Sequence, residues 1–591
     1  MIKNIPTFLS QAKDIGQVLE IDAEVDPYLE LAEIHRRVIE RNGPVLLFKN
    51  VRGSSFPVTT NLFGTKERVD LAFGKHGYEF ISQAVELVHE LMPLNFTKLW
   101  DKKKFFFDAT KLGFKVSKNS NTSFKIDSPA NLDKLPIITS WVEDGGPFVT
   151  LPLVYTEDPE LKVGNLGMYR MHKYDQNTTG MHMQIGKGGG FHLAKAKKLK
   201  QNLPLNVFLG GPPALIVSAI APLPENVPEL VLASLLLGEK LKLNKSTFSE
   251  LPYPLDCEFV LMGSVNPEER RPEGPFGDHY GYYSLEHDFP VFHCNTVLYK
   301  ENAIYPATVV GKPRQEDYYI GNYLQELLSP LFPLVMPAVE TIWSYGETGY
   351  HSLAAAVVKE RYKRECMSTA FRILGEGQLA LTKFLLLIDK KLDLQNFPEV
   401  LKYILERCDF RKDFYIFSNL SLDTLDYTGP KLNEGSRAVM LGIGDPIRTL
   451  PTEFTFTNSA IKAAKLFCPG CLVVSGENYS DNPKLAAEIS QLADLKDWPL
   501  IFLVDDVEFS SSNSANFLWS TFTRFEPAAD IFASNITLER FHPLLHPPIV
   551  IDARMKPSYP GEVLTDEKTF ELVNKRWEEY FSKEMRDKYS L

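Results

Sequence analysis

The chain has 591 residues, of which 44% are hydrophobic and 24% charged, and its net charge is -11. That length exceeds what one hydrophobic core supports, so we expect about three to four domains. No basic block is present to neutralise a row of phosphates, which argues against a nucleic-acid-binding function. The start of the chain has no secretory h-region, and no apolar run approaches the roughly 18 residues of a membrane-spanning helix, so we expect a cytoplasmic protein.

Helix and strand patterns alternate at the start of the chain and then give way to a β-rich region. The segment DPYLELAEIHRRVIERNGP has helical periodicity ended by Gly43, and PVLLFKNV follows as a short buried strand. From residue 112 to 325, short β-rich runs such as FVTLPLVYT and CEFVLMGSV are separated by Pro and Gly. The sequence therefore predicts an α/β domain followed by a sheet or barrel domain.

Strand and helix patterns alternate again in the C-terminal part of the chain. KFLLLID, FPEVLKYILERCDF and FYIFSN are typical of a strand, a helix and a strand, which predicts a mostly parallel sheet. Two stretches recur at a constant offset of 116 residues: LLLIDKKL (385–392) matches IFLVDDVE (501–508), and FYIFSN (414–419) matches DIFASN (530–535). These short matches suggest an internal duplication of one α/β unit.

The six cysteines are too sparse for a disulfide framework in a chain of this size. Only Cys468 and Cys471, in CPGC, have the spacing of a metal or redox pair. A tetrahedral zinc site needs further ligands, and the nearest histidines, His542 and His546, are far off in sequence. We interpret the pair as two ordinary thiols at a turn, with metal binding or redox activity as the alternative.

Two glycine-containing motifs carry side chains suited to ligand binding. GNLGMYRMHKYD contains Asn165, whose oxygen suits a hard cation, and Arg170, which suits a carboxylate or phosphate. GMHMQIGKGGGFHL offers the charge of Lys187 and the open backbone of residues 188–190, which suit a phosphate. The alternatives are a surface strand pair for the first motif and a flexible loop for the second, in which His192 is an ordinary loop or core histidine.

The third motif, EGPFGDHYGYY, holds Glu273 and Asp278 five residues apart at the ends of a stiff turn. Two neighbouring carboxyl groups cannot both ionise easily, so such a pair can act as a proton donor with its modulator. The alternative is a solvated β-turn with acidic flanks.

EGPFGDHYGYY, with the upstream NLGMYR, resembles the UbiD-like family of reversible, non-oxidative decarboxylases that use prenylated flavin mononucleotide and a divalent metal. Further stretches agree in family order, among them NLFGTKERV, LPIITSWVEDGGPFVT, VVGKPRQED and IVIDARMKPSYPGEV. The resemblance covers residues 1–440 and 547–591, and the stretch between them looks like an insertion that holds the second copy of the repeat.

The resemblance implies an α/β (α+β) fold class with a central split β-barrel that binds the flavin and a C-terminal α/β domain with the suggested duplication. The predicted segments are an N-terminal α/β domain, the split-barrel catalytic domain, a linker, a C-terminal α/β oligomerisation domain, the inserted unit, and a final segment with a helix. Their predicted boundaries are 1–111, 112–325, 326–345, 346–445, 446–546 and 547–591.

Residue by residue, the resemblance places the catalytic set on Arg170, Glu273 and Asp278. Arg170 would orient the substrate carboxylate and pair with Glu273, and Asp278 would reprotonate the product, which requires a raised pKa for Asp278. The bare GPFG turn would let the backbone pass close to a flat cofactor while it holds both acids.

The resemblance also implies the residues that bind the metal and the cofactor. The metal ligands map onto Asn165, His192 and Glu229, an O,N,O set that suits Mn²⁺, with K⁺ or Na⁺ as further candidate ions. Gly186 stands where many relatives carry a histidine. The residues implied to line the prenylated FMN are Met168, Tyr169, Arg170, His182, Met183, Gln184, Lys187 and Gly188.

The motif ends in Asp278, as in quinone-pathway members of the family, whereas cinnamate-type members end in Glu. We therefore predict a polyprenylated hydroxybenzoate or a naphthoate as substrate, a precursor of ubiquinone or menaquinone, with peripheral membrane contact for the prenylated molecule. The alternatives are a decarboxylase of free aromatic or acrylic acids and a catalytically silent flavin-binding or assembly protein. The resemblance further implies a homo-oligomer and a flavin prenyltransferase as the maturation partner.

Overall fold

The structure, a computed structural model, describes residues 2–91, 107, 110–117, 123–183, 188–223, 227–312, 314–455 and 458–591. Contacts divide the chain into unit 1, residues 1–327 with 562–591, and unit 2, residues 328–561. Both units mix helices and sheets, so the predicted α/β (α+β) fold class is confirmed. Within the described residues, no helix combines the length and the apolar character that crossing a bilayer requires.

The first two helices of unit 1 are Ile5–Asp14, which was not predicted, and Glu30–Glu40, which was predicted from DPYLELAEIHRRVIERNGP. Asn4 caps the first by accepting a hydrogen bond from the Thr7 N–H at 2.9 Å. The second ends at Glu40, and Asn42 takes a left-handed conformation with φ of 53° before Gly43. The described helices are Ile5–Asp14, Glu30–Glu40, Lys66–Phe73, His76–Leu91, Gly188–Lys198, Ala214–Ile220, Glu229–Leu237, Glu316–Leu328, Glu567–Tyr580 and Lys583–Tyr589, with a 3-10 turn at Leu132–Lys134.

Unit 1 carries most of the described strands, which confirms the β-rich character predicted for its central part. The strands are Val18–Val25 (β1), Val45–Val51 (β2), Val58–Thr60 (β3), Phe114–Ser117 (β4), Phe124–Asp127 (β5), Phe148–Val149 (β6), Leu153–Glu157 (β7), Gly164–Met168 (β8), Met171–His172 (β9), Thr178–Gly180 (β10), Leu203–Leu209 (β11), Leu241–Ser246 (β12), Ser249–Pro254 (β13), Phe259–Glu273 (β14), Phe276–Gly277 (β15), Tyr283–Ser284 (β16), His287–Lys300 (β17) and Tyr305–Pro306 (β18).

A seven-stranded sheet in unit 1 brings distant motifs together. Its order is β10-β17-β14-β11-β7-β8, with β5 paired to β17, and all its pairs are antiparallel. The two long strands β14 and β17 pair over most of their length, so that Glu273 at the end of β14 lies opposite His287. The smaller sheets of unit 1 are β1-β2-β3-β18, β13-β12-β4, β15-β16 and β6-β9.

Unit 2 contains two sheets and the short helices that cover them. Its strands are Val339–Ser344 (β19), Leu353–Val358 (β20), Phe384–Ile388 (β21), Phe414–Ser421 (β22), Glu434–Gly442 (β23), Ala463–Cys468 (β24), Cys471–Ser475 (β25), Leu500–Leu503 (β26), Ile531–Glu539 (β27) and His542–Asp552 (β28). Its α-helices are Phe332–Val335, Glu365–Ile373, Phe397–Arg407, Leu485–Ile489, Val507–Ser511, Ser514–Phe522 and Pro527–Asp530, and its 3-10 turns are Ser329–Leu331, Gly346–Thr348, Gly377–Leu381 and Ala493–Leu495.

The two sheets of unit 2 have the same topology, as the suggested duplication requires. The first has the order β19-β20-β21-β23-β22 and the second β24-β25-β26-β28-β27, and corresponding pairs run in the same sense. The central strands β21 and β26 are the stretches that matched in sequence at the offset of 116 residues. Both are buried throughout, as parallel strands covered on two faces are.

The two halves of unit 2 share one aromatic core. The ring of Phe522, from the second half, lies 5.6 Å from Phe384 and 5.8 Å from Phe397, both from the first half. Each sheet also has a separate apolar cluster on its other face. The duplicated units are therefore packed face to face as one hydrophobic body.

Several elements cross the boundaries that we set from sequence. Residues 326–345, expected as a linker, contain Phe332–Val335 and β19, a strand that pairs with β20 because Val339 and Ile342 have a buried apolar face to fill. The second sheet begins in the inserted stretch and ends with β28, which runs past residue 546. Cys468 and Cys471 are register partners across the β24–β25 turn, both buried and free, and burial raises the pKa of the Cys471 thiol.

Candidate active site

Arg170 lies between the two acidic residues of the EGPFGD motif and binds both. Its Nε donates to Oε1 of Glu273 at 2.8 Å and its Nη2 donates to Oε2 at 3.1 Å, which is a two-pronged pair. Its Nη1 donates to Oδ2 of Asp278. The structure therefore brings together all three residues that the sequence predicted as the catalytic set.

The backbone elements explain how residues a hundred positions apart meet. Arg170 follows β8 and precedes β9, while Glu273 ends β14 and Asp278 follows β15 directly. The Arg170 guanidinium lies 4.6 Å from the centre of the Phe276 ring, a cation–π contact with the turn between the two acids. Nη2 also donates to Oγ of Ser284 at 2.8 Å, so the guanidinium is held on several sides.

Glu273 is fully buried and remains ionised. Burial alone would raise its pKa, but Arg170 and a hydrogen bond from His182 outweigh burial and lower the pKa to about 2. The His182 Nδ1 lies 3.2 Å from Oε2 of Glu273, and the His182 ring packs 4.2 Å from Phe289. His182, which the resemblance implied as a cofactor neighbour, thus also contacts Glu273 of the predicted catalytic set.

Asp278 differs from the sequence-based expectation. We expected a raised pKa, as a proton donor needs, and burial does act in that direction. The charge of Arg170 and the contacts with His279 are stronger, so the pKa of Asp278 lies well below its usual range. Its Oδ1 lies 2.7 Å from both the backbone nitrogen and Nδ1 of His279. In this arrangement Asp278 is a carboxylate and holds no proton to donate.

A third acid faces this group from the helix Glu316–Leu328. Burial raises the pKa of Asp317 to about 6, opposed by the nearby His279 and supported by the negative charge of Asp278. Asp317 belongs to the stretch VVGKPRQED, whose sequence pointed to the family resemblance but to no role at the site.

The predicted metal ligands converge around the β7–β8 pair. Asn165 on β8 lies opposite Thr156 on β7, and Oγ1 of Thr156 lies 2.8 Å from Nδ1 of His192. Oε2 of Glu229 accepts a hydrogen bond at 2.8 Å from the N–H of Leu166, the neighbour of Asn165. Each of the three side chains is therefore tied to the same short piece of sheet.

The donor set fits a hard divalent cation. It offers an amide, an imidazole whose Nδ1 is engaged by Thr156, and a carboxylate, which suits Mn²⁺. The atom of Asn165 that would bind the cation is its amide oxygen, Oδ1, which lies against Gly188. Among the described residues, no three His, Cys, Asp or Glu side chains are grouped so that they could hold a metal ion. The predicted set includes only two residues of these types, His192 and Glu229, because its third member is an asparagine.

The glycine run packs directly against these residues. A Cβ at Gly188 would lie 1.8 Å from Oδ1 of Asn165, so no side chain fits there. The Gly189 N–H donates to the hydroxyl of Tyr169 at 3.2 Å. Gly188 begins the helix Gly188–Lys198, and the positive end of a helix suits a phosphate group. The start of this helix thus lies directly beside Asn165, where its backbone N–H groups would suit a phosphate.

The cofactor residues implied by resemblance are placed as follows. Tyr169 and Met183 are buried, Met168 ends β8, and Arg170 and His182 contact Glu273. Gln184 and Lys187 lie outside the described residues.

Sequence reasoning missed several contacts of this site. Ser284 binds Arg170, His279 binds Asp278, and Thr156 orients His192. Asp144, in VEDGGP, accepts the Gly277 N–H at 2.8 Å, which ties it to the acidic turn. Only His279 carried a local signal, since it stands next to Asp278. The others lie far from their partners in sequence and share no spacing with them.

Three family models match the chain in order. Residues 9–88 match the UbiD model "3-octaprenyl-4-hydroxybenzoate carboxy-lyase N-terminal domain", 115–313 the "Rift-related domain" and 318–442 the "C-terminal domain" of the same carboxy-lyase. Together these matches include Arg170, Glu273, Asp278 and the three predicted metal ligands.

Relatives extend the similarity over nearly the whole chain. A 4-hydroxybenzoate decarboxylase subunit of Chlamydia pneumoniae is 52% identical over 98% of this chain and 98% of its own length. A protein of Chlamydia trachomatis is 51% identical over 96% of this chain and 97% of its own. A protein of Archaeoglobus fulgidus is 34% identical over 72% of this chain and 88% of its own.

Solved structures share the fold at lower identity. Vanillic acid decarboxylase of Sedimentibacter hydroxybenzoicus, in its closed form, aligns with a TM-score of 0.67 and 23% identity over 78% of this chain and 96% of that chain. The UbiD-class enzyme HmfF of Pelotomaculum thermopropionicum, in complex with FMN, aligns with a TM-score of 0.62 and 21% identity over 75% and 94%. Nearly all of each structure is matched, so this chain carries additional residues beyond their shared fold.

Proposed function

This chain belongs to the UbiD family of carboxy-lyases, and from that premise we propose that it decarboxylates a polyprenylated hydroxybenzoate or a naphthoate in ubiquinone or menaquinone biosynthesis, with prenylated FMN and Mn²⁺ as cofactors. The observation that carries the proposal is the bridge of Arg170 between Glu273 and Asp278. A buried cation held by two carboxylates can exchange one of them for the carboxylate of a substrate. A silent flavin-binding protein would have no need to keep all three groups in contact.

Arg170 orients the substrate carboxylate in this proposal. Its Nε and Nη2 stay with Glu273, which is buried and keeps its charge at any physiological pH, while Nη1 faces the more accessible Asp278. A substrate carboxylate that approaches Nη1 competes with Asp278 for the same donor. Orientation by a fixed guanidinium lowers the entropic part of the barrier.

Arrival of the substrate also prepares the proton donor. The pKa of Asp278 is low because Arg170 neutralises it, and a second carboxylate takes part of that neutralisation away and adds a negative charge nearby. Both changes raise the pKa of Asp278, and the proposed reaction requires this rise to be large enough for Asp278 to take up a proton when the substrate binds. Asp278 can then deliver that proton to the carbon that loses CO₂.

The metal and the flavin phosphate are assigned to neighbouring residues of this chain. Asn165, His192 and Glu229 would hold Mn²⁺, with K⁺ or Na⁺ as further ions, and the start of the helix Gly188–Lys198, which packs against Asn165, would bind the phosphate through its backbone N–H groups. Residues 168–170 and 182–184, with Lys187, would line the flavin. When bound, the prenylated flavin would supply the electron sink that decarboxylation requires. HmfF, one of the structural neighbours, was solved in complex with FMN.

A decarboxylase of free aromatic acids is the second candidate. It is favoured by the name of the Chlamydia pneumoniae relative, a 4-hydroxybenzoate decarboxylase subunit. A prenylated substrate needs an apolar groove that leads out of the site, whereas a free acid fits an enclosed pocket.

The test uses protein co-produced with a flavin prenyltransferase, the proposed maturation partner. CO₂ release is measured with prenylated hydroxybenzoates, naphthoates, free 4-hydroxybenzoate and cinnamate at equal concentrations. Turnover that is highest with prenylated hydroxybenzoates or naphthoates supports the quinone assignment, and turnover with short free acids alone would refute it. We further propose a cytoplasmic homo-oligomer that meets membrane-borne substrate at the bilayer surface, which sedimentation with and without vesicles would test.

A further inference from the structure

We propose that Asp144 is a positioning residue that sets where the Asp278 carboxylate lies. It does so by hydrogen bonds, here called the clasp, that join residues 140–141 to the turn at residues 273–278, here called the acidic turn. The expected effect on turnover rests on the proposed function. The clasp itself is a contact within this chain and can be measured without any substrate.

Asp144 uses both carboxylate oxygens to hold two separate backbone segments. Its Oδ2 accepts from the N–H groups of Ser140 at 3.0 Å and Trp141 at 2.9 Å. Its Oδ1 accepts from the N–H of Gly277 at 2.8 Å, across 133 residues of sequence. Gly277 is the residue directly before Asp278, so the hydrogen bond acts on the backbone that carries the proposed donor.

The glycines around this contact make the approach of the two segments possible. The Gly145 N–H donates to the carbonyl of Pro275 at 2.8 Å, which gives the clasp a second backbone bond. A Cβ at Gly145 would lie 2.1 Å from the carbonyl oxygen of Gly274. A Cβ at Gly277 would lie 2.1 Å from Cδ1 of Trp141. The DGG of one segment and the GPFG of the other are therefore complementary surfaces.

The anchored side of the clasp is rigid. The Trp141 indole donates to the carbonyl of Val310 at 2.9 Å, and the guanidinium of Arg36 lies 4.1 Å from the centre of its ring. Arg36 also donates to the carbonyl of Ser140 at 2.9 Å. Asp144 thus links a well-held segment to the turn, which is also held by the strand pair β15 with β16 and by the contacts of Arg170 with Asp278 and Phe276.

An amide could not replace this carboxylate. Both carboxylate oxygens are needed because each accepts hydrogen bonds from a different backbone segment. An asparagine has only one acceptor oxygen and would direct its NH₂ group at a backbone N–H. Removal of water from the carboxylate raises the pKa of Asp144 to about 7, against the three N–H donors and Arg170, which favour the charged form. The charged and titratable groups that face it are Arg170, Arg36, Tyr283 and, beside Tyr283, Glu143. Protonation near neutral pH therefore weakens the clasp.

The experiment compares Asp144→Asn with wild type and with Asp506→Asn, in which a helix-capping carboxylate of unit 2 that also accepts a backbone N–H is changed in the same way. All three are loaded with flavin and metal, and their contents are measured. Hydrogen exchange of peptides spanning residues 273–284 is followed by mass spectrometry, and kcat and KM are measured from pH 5.5 to 9.

We expect Asp144→Asn to keep its flavin and metal, to lose on the order of 10- to 100-fold in kcat with little change in KM, and to exchange faster in residues 273–284. In wild type, kcat should fall at acid pH as Asp144 becomes protonated, and Asp144→Asn should lack this fall. Asp506→Asn should match wild type. Normal kcat and normal protection in Asp144→Asn would overturn the proposal, and so would a loss that Asp506→Asn shares.

Wild-type protein alone provides a second measurement in case the variant fails to fold. After correction for the intrinsic exchange rate, protection of the 273–284 peptides should fall as pH drops through about 7, because protonated Asp144 releases the Gly277 N–H. Unprotected exchange of the Gly277 N–H at pH 8 and above would overturn the clasp. If wild type decarboxylates no aromatic acid, the proposed function fails, while the exchange data still decide whether Asp144 holds the turn.

Discussion

Arg170 and Glu273 form a two-pronged ion pair, with Nε to Oε1 at 2.8 Å and Nη2 to Oε2 at 3.1 Å, although 103 residues separate them in sequence. Glu273 is fully buried and its pKa is lowered to about 2, so the pair is a permanent feature of the site. The remaining Nη1 of Arg170 binds Asp278, and in the proposed function this is the part of the guanidinium that would bind the substrate carboxylate.

Replacing Arg170 with lysine should keep the positive charge but abolish the simultaneous contacts with Glu273 and Asp278. A lysine ammonium cannot hold Glu273 at two points and reach Asp278 as well, so we expect a loss on the order of 10² to 10³ in kcat. Steady-state decarboxylation is the measurement. Arg411→Lys is the matched control, since Arg411 makes the same two-pronged contact with Asp409 at the surface of unit 2, at 2.9 and 3.0 Å. Equal activity of Arg170→Lys and Arg411→Lys would contradict the assigned role.

Binding of a carboxylate analogue should draw a proton into the site. Asp278 is ionised while Arg170 neutralises it, and a competing carboxylate raises its pKa, so we expect uptake approaching one proton per site near neutral pH. Calorimetric titration in buffers of different ionisation enthalpy measures this uptake. Asp278→Asn should bind the analogue without proton uptake and lose on the order of 10² to 10⁴ in turnover. Wild-type binding without proton uptake would remove Asp278 as the donor.

Removing the charge of Glu229 should release metal and flavin together. Glu229→Gln keeps an oxygen that can accept from the Leu166 N–H, whereas Glu229→Ala loses that hydrogen bond as well, so the pair separates ligation from strand packing. We expect both variants to lose Mn²⁺ and, with it, the flavin phosphate. Metal analysis and flavin absorbance are the measurements. Full flavin occupancy in a metal-free Glu229→Ala protein would contradict a metal bridge.

Thr156→Val tests the orientation of His192 through a neighbouring residue. The hydroxyl of Thr156 lies 2.8 Å from Nδ1 of His192 and directs the other ring nitrogen, so its loss should weaken Mn²⁺ affinity by about 10- to 100-fold. Metal titration of flavin-free protein measures the change. An unchanged affinity would show that His192 is not a ligand or is oriented by other contacts.

Ionised Glu273 should make stability depend on pH in the acid range. Its pKa falls from 4.5 to about 2 on folding, so it contributes about 3 kcal/mol above pH 4.5, and this contribution is lost as pH falls toward 2. The difference in unfolding temperature between wild type and Glu273→Gln should therefore shrink as pH is lowered below 4.5. Glu571→Gln, at an exposed position, should show no such trend. A difference that stays constant with pH would show that the charge of Glu273 contributes nothing to stability.

The shared core of unit 2 should be sensitive to loss of one aromatic ring. Phe522→Ala removes a side chain that contacts Phe384 and Phe397 of the other half, and we expect a loss of about 3–5 kcal/mol in the free energy of unfolding. Phe541→Ala, whose ring is 95% exposed, is the control and should be neutral. Denaturant unfolding checks both. A neutral Phe522→Ala would mean that the two halves do not depend on each other.

Much of the fold was visible in the sequence because its signals are local. The helix that ends at Glu40, the strand after Gly43 and the buried runs at 384–388 and 500–503 all follow from periodicity and apolar content. Even the duplication left a short repeated pattern. The extent of each domain was less visible, because a segment such as Val339–Ser344 becomes a strand only when a partner, here β20, is available to pair with it.

For the site, the sequence by itself determined which residues we expect to carry chemistry: the spacing of Glu273 and Asp278 drew attention to that turn, and the family resemblance around it implied Arg170 and the proposed metal ligands. Only the tertiary structure decided their charge states and supports. Arg170 is shared by both acids, which lowers the pKa of Asp278 where we expected a rise, and Asp144 reaches Gly277 from 133 residues away. The physical reason is that a pKa and a backbone position depend on burial and on neighbours in space, and folding brings those neighbours from parts of the chain that no sequence motif connects.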